Sequence, residues 1–83
     1  MNINSAIIQG SKILKNKFIP NPQLDSEILM SETINKDRKY ILLNFNKVIN
    51  NSDLNNFYML IKQRSLGKPI AHLINRKFYL DHI

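Results

Sequence analysis

Residues 57 to 80 read Phe57-Tyr58-Met59-Leu60-Ile61-Lys62-Gln63-Arg64-Ser65-Leu66-Gly67-Lys68-Pro69-Ile70-Ala71-His72-Leu73-Ile74-Asn75-Arg76-Lys77-Phe78-Tyr79-Leu80, and this stretch decides the fold. Leu54, Phe57, Tyr58 and Ile61 follow the i, i+3, i+4, i+7 spacing that sets them on one stripe of a helix. Gly67 ends that helix, because a residue without a Cβ takes the left-handed conformation past a helix end without steric cost. Pro69, with its fixed φ and missing donor, suits the first position of a new short helix, Ile70 to Ile74. Beyond it, Arg76-Lys77-Phe78-Tyr79-Leu80 turns extended and aromatic, as a chain does on leaving a domain for a linker or strand.

Working back from this stretch, three more helices are expected. Asn4 to Asn16 sets Ile3, Ala6, Ile7, Gly10, Ile13 and Leu14 on one broad arc of a helical wheel, the breadth of a core-facing stripe. Gly10 on that stripe permits close approach by another backbone, and Phe18 and Ile19 are expected to dock as the chain leaves. Lys12, Lys15 and Lys17 bring cations to the helix end, where the dipole favours them. Pro20-Asn21-Pro22 breaks the chain and restarts it, with Asn21 as N-cap and Pro22 at the first helical position. This second helix runs through Leu24, Ile28, Leu29, Met30 and Ile34, apolar on more than one side, as the central helix of a bundle is. Asp37 caps a short third helix over Arg38 to Asn44. Asn44 to Asn51 reads as a loop anchored by Val48 and Ile49, after which Asn51 or Ser52 caps the long helix. The expected fold class is all-α: a small bundle of four to five helices over residues 1–75, with 76–83 the extended start of a linker.

A chain of 83 residues buries one small core, about 60% of its unfolded surface. Cysteine is absent, so neither a disulfide framework nor a thiolate metal site supports the fold. Apolar runs such as Tyr40-Ile41-Leu42-Leu43 fall far short of the roughly 18 residues of a membrane span, and no secretory signal pattern opens the chain. The cytoplasm is the expected compartment. The net charge of +6 raises nucleic acid or an acidic protein as a partner. The cations stand singly or in pairs such as Arg38-Lys39 and Arg76-Lys77, however, which is the pattern of solvated faces and not of a basic run.

The residues that chemistry needs are missing. His72 and His82 stand ten apart without a further metal-ligand pattern, and Gly10 and Gly67 are not clustered as a phosphate-cradling loop requires. The serines lack the elbow context of a nucleophile. Asp25 and Glu27, at i and i+2, point to different faces of a helix. No catalytic, cofactor-binding or metal-binding residue is therefore expected in this chain. Arg64 lies at the edge of an apolar stripe, where a cation must find a partner or reach solvent. A bidentate ion pair with Asp25 or Glu27 is the expected arrangement, a partner-facing role the other. His72 reads as a packed or interface ring and not as a base.

Three segments in order carry a resemblance: Leu24-Asp25-Ser26-Glu27-Ile28-Leu29-Met30, then Lys36-Asp37-Arg38-Lys39-Tyr40-Ile41-Leu42, then Arg64-Ser65-Leu66-Gly67-Lys68-Pro69-Ile70-Ala71-His72-Leu73. Together they resemble the N-terminal domain of the protein-(glutamine-N5) methyltransferases that act on peptide chain release factors, the PrmC/HemK family. His72 stands where that family usually has tyrosine, and Asn75 where it often has glycine. The resemblance implies a parent protein that moves a methyl group from S-adenosylmethionine to the glutamine of the Gly-Gly-Gln motif of release factors. The family's Asn-Pro-Pro-Tyr motif and glycine-rich cofactor loop belong to a C-terminal Rossmann-like domain, and neither occurs here. The chain thus looks like the helical N-terminal domain, not catalytic alone, that helps recognise and position the release factor.

Its implied partners are release factors and its own catalytic domain; no membrane is expected, and, with no coiled-coil seam in the sequence, a monomer is. Lys68, His72 and Arg76 are the candidate contacts, chosen for polarity and for their place near the domain exit. A small basic nucleic-acid-binding or adaptor domain is the alternative, with Gly67-Lys68-Pro69 as a helix-turn-helix turn. Ile70 to Ile74 is too short and apolar to carry base-reading side chains.

Overall fold

A computed structural model of the chain describes residues 1–74. The expected linker, Asn75 and Arg76 lie outside the described residues. Four α-helices form, α1 (Ile3–Asn16), α2 (Pro22–Ile34), α3 (Arg38–Leu43) and α4 (Asn51–Ser65), followed by a 3-10 turn at Ile70–His72. The all-α bundle expected from the periodicity is the fold; among the described residues β-pairing amounts to one isolated antiparallel bridge, Asn2 to Val48.

Asparagine and aspartate set most of the helix starts. Asn2 accepts the Ser5 N–H at 2.8 Å and Asp37 accepts the Tyr40 N–H at 2.9 Å. Asn50, one residue ahead of the expected cap, accepts the Asp53 N–H at 2.7 Å. Asn21 stands at the N-cap of α2 without a side-chain bond, so the start rests on Pro22, whose φ is already helical.

The Asn-rich loop meets the donors that α1 leaves open. Ile3 N–H donates to the Lys47 carbonyl at 2.9 Å and Asn4 N–H to that of Phe45 at 3.0 Å, while Ile49 N–H returns to Met1 at 3.1 Å. Ile49 is buried and anchors the loop; Val48, expected to share that role, is exposed.

The core joins Ile3, Ala6, Ile7 and Leu14 of α1 to Leu29 and Met30 of α2, Ile41 of α3, and Phe57 and Ile61 of α4. Central α2 packs against all three other helices. The close approach expected at Gly10 is made by side chains, not backbone. A Cβ there would stand 2.7 Å from Ser26 Oγ and 2.8 Å from both Ile61 Cδ1 and Phe57 Cζ. Ser26 Oγ–H donates to the Ile7 carbonyl at 2.7 Å, joining α1 to α2 at that seam. Ile13 lies at the exposed edge of the stripe. Ile19 packs on the core, but Phe18, expected to dock with it, is 92% exposed, because its left-handed backbone turns the side chain away.

Two ion pairs engage Asp25 and Glu27 of α2. Arg64 Nε donates to Asp25 Oδ2 at 2.9 Å, with side chains 18% and 10% exposed, and its Nη1 donates to the Lys68 carbonyl at 3.2 Å. The expected bidentate pair is thus one bond to a carboxylate and one to backbone. Glu27, on another face of α2, accepts from Arg38 at 2.6 Å and from Gln23 at 2.8 Å instead. Arg38 is 41% exposed, so solvent screening limits that pair to about 0.5 kcal/mol. Loss of one partner from the shielded Arg64–Asp25 pair costs about 2–3 kcal/mol, because the other charge is left desolvated.

Two stability measurements follow from this packing. Gly10→Ala is expected to lower the urea unfolding free energy by about 1–2 kcal/mol, although alanine favours an isolated helix by about 1 kcal/mol, since three neighbours must shift. In a double-mutant cycle, Arg64→Met and Asp25→Leu each destabilise by about 2 kcal/mol, and the double variant recovers part of the sum.

Candidate functional site

The contacts fix how the helices run. The start of α1 is bonded to the segment that leads into α4, and Gly10 faces Phe57 and Ile61, so α1 and α4 run parallel. The Arg64–Asp25 bond sets the end of α4 beside the start of α2, which therefore runs the other way. One end of the bundle gathers the C-termini of α1 and α4, the N-terminus of α2 and the exit of the chain.

At this end α4 closes as the glycine stop requires. Gly67 has φ 103°; its N–H donates to the Arg64 carbonyl at 2.9 Å, and Lys68 N–H reaches Gln63 at 3.2 Å. Pro69 is extended (φ −62°, ψ 146°) and caps the next turn instead of occupying its first position. That turn is shorter than expected, three residues closed by i→i+3 bonds from His72 to Pro69 (3.0 Å) and from Leu73 to Ile70 (2.8 Å). Leu73 is buried and Ile70 half-buried, so burial of these two side chains holds the turn to the core. Lys68 and His72 are left exposed, so of the two readings of His72 the packed ring is set aside and the interface ring stands. Arg76, the third expected contact, lies outside the described residues.

Electrostatics give this end one sign. No carboxylate occurs in residues 1–24 or 54–74, and Asp25 and Glu27 are buried against arginines. Lys15, Lys17, Lys62 and Lys68 flank the two helix C-termini, where the dipole favours cations. A surface of this kind attracts an acidic partner. Among the described residues no three His, Cys, Asp or Glu side chains cluster to hold a metal, and no helix is long and apolar enough to cross a membrane.

The opposite end carries a cleft of about 220 Å³ that spacing did not show. Lys36 and Lys47 approach the Tyr40 ring at 5.2 and 5.5 Å, and Lys47 Nζ donates to the Tyr40 hydroxyl at 2.8 Å. Lys36 and Tyr40 are four apart, but the α2–α3 turn intervenes and Lys47 arrives from the following loop. The Arg38–Glu27 pair escaped notice for the same reason. A helix-turn-helix reading finds no support in the fold, since the second element is a three-residue turn, too short to lie in a groove, whose Ile70 packs on the core.

Comparison with known proteins places this geometry. Residues 5–74 match the model of the PrmC N-terminal domain. The chain is 30% identical to the release factor glutamine methyltransferase of Leptospira interrogans over 99% of its own length and 29% of that relative's. It is equally identical to the enzyme of the same name from Aliivibrio fischeri, over 94% of this chain and 25% of the relative. The bifunctional methyltransferase of Rickettsia felis is also 30% identical, over 94% and 15%. No solved structure matches. The chain spans less than a third of the length of these relatives. The chain belongs to the PrmC N-terminal domain family.

Proposed function

We propose that this chain is the substrate-recognition domain of an S-adenosylmethionine-dependent methyltransferase that methylates the glutamine of the Gly-Gly-Gln motif of release factors in the cytoplasm. The observation that carries it is the family match over residues 5–74, with relatives named for release factor glutamine methylation. The methyl donor does not fit this chain. Gly10 is packed under Ser26 and Phe57, and Gly67 closes a helix, so neither opens a cradle for a cofactor. Cofactor binding and methyl transfer therefore belong to a catalytic domain of the parent protein, which is the second partner of this domain.

The domain acts as a single copy, by placement. Its exit is tied to α2 through Arg64 and Asp25, so the exposed Lys68 and His72 hold a fixed position beside the path to the catalytic domain. Arg76 continues that cationic edge in the sequence. A cationic edge steers an acidic protein into encounter and speeds association, an effect that salt weakens. Titration of the isotope-labelled chain with a purified release factor is expected to shift amide signals in residues 64–74, with slower association at higher salt. Absence of shifts contradicts this reading, and equal shifts with duplex DNA favour a nucleic-acid partner.

A further inference from the structure

Three helices of this chain end on a left-handed residue: Asn35 (φ 62°) after α2, Gly67 (φ 103°) after α4 and Phe18 (φ 61°) after α1. Asparagine and glycine take this backbone readily, whereas a bulky aromatic residue in it is an outlier. The bonds around Phe18 form the complete closing pair. Its N–H donates to the Lys15 carbonyl at 3.0 Å and Ile19 N–H to that of Leu14 at 3.1 Å, which seats Ile19 on the core. The turn needs a positive φ and makes no use of the ring, which is 92% exposed. Folding alone therefore does not account for phenylalanine here, since glycine or asparagine would make the same turn with less strain.

Strained backbone is kept where a side chain has another task. The setting of Phe18 points to that task. Lys15 and Lys17 flank it in sequence, and no carboxylate occurs in residues 1–24. Leu24 and Leu66 are exposed at the same end, and a shallow depression of about 390 Å³, lined by Pro20, Pro22 and Leu24 together with Asn21, Gln23 and the paired Glu27 and Arg38, lies between the start of α2 and α3. An aromatic anchor with a charged rim is the composition of an interface hot spot.

We infer that Phe18 is the anchor of a protein-docking surface, inserting into an apolar pocket bordered by carboxylates on the release factor. The identity of the partner rests on the function proposed above; the existence of the anchor rests on the backbone and exposure of Phe18. A protein partner fits better than nucleic acid, because one ring beside aliphatic leucines offers no series of stacking platforms. The lysines then pair across the rim and set the approach.

The test compares the 83-residue chain with its Phe18→Gly and Phe18→Asn variants, by thermal unfolding and by calorimetric titration with a purified release factor. At least one variant, Phe18→Asn, is expected to unfold at no lower temperature than the wild type, since the ring makes no buried contact. Both variants are expected to weaken binding by about tenfold or more. A Lys15→Glu/Lys17→Glu double variant weakens binding further at low salt than at high salt. Wild-type affinity in both Phe18 variants overturns the inference while leaving the functional reading intact, and so does a melting temperature that falls in step with binding. A wild-type chain that binds duplex or single-stranded DNA but not the release factor overturns both.

Discussion

A shielded guanidinium sets the register of this bundle. Apolar contact among Leu29, Met30, Phe57 and Ile61 draws α2 and α4 together, but such contact is non-directional and tolerates sliding. The Arg64 N–H bonds are directional. One reaches Asp25 on α2 and the other the carbonyl of Lys68, so a single side chain ties the central helix to the long helix and to the residues that follow it. With both charges largely out of water, neither can leave without stranding the other. The Arg38–Glu27 pair, whose arginine is 41% exposed, is more open to solvent screening.

This tie gives the bundle unlike ends. At one, two helix C-termini and the chain exit come together under lysines, with the nearby carboxylates already engaged by arginines. At the other, the loop 44–49 is bonded across the start of α1, which uses its polar backbone to complete the helix. Lys15, Lys17, Lys62, Lys68 and the strained, solvent-facing ring of Phe18 lie at the exit end, Lys36 and Lys47 lie at the other, and the core seam at Gly10 and Ser26 stays small. A bundle with a cationic end is suited to binding and placement, and the chain spans less than a third of the length of the relatives it matches.

Much of this was legible in the residues. Helical periodicity located α1, α2 and α4, Asp37 located α3, and Gly67 marked the end of α4 to the residue. Arg64 stood out because a cation at the edge of an apolar stripe needs an acceptor. What remained hidden depended on the chain folding back on itself. Capping could have fallen to any of several asparagines, and the choice of Asn50 was made by the loop that also serves α1. Glu27 took Arg38 because the turn after α2 returns α3 to its flank. Hydrophobicity alone assigns Phe18 to the core, whereas its left-handed backbone turns the ring to water.

The central claim is that Arg64 holds the exit of the domain in place. Amide hydrogen exchange, compared between the wild type and Arg64→Met, measures this directly. Faster exchange by about tenfold at Gly67 and Lys68, with the amides of α1 much less affected, is the expected result. Equal acceleration at every slow amide, or none at Gly67 and Lys68, would show that Arg64 adds general stability or nothing, and that the exit is held by Leu73 and the core alone.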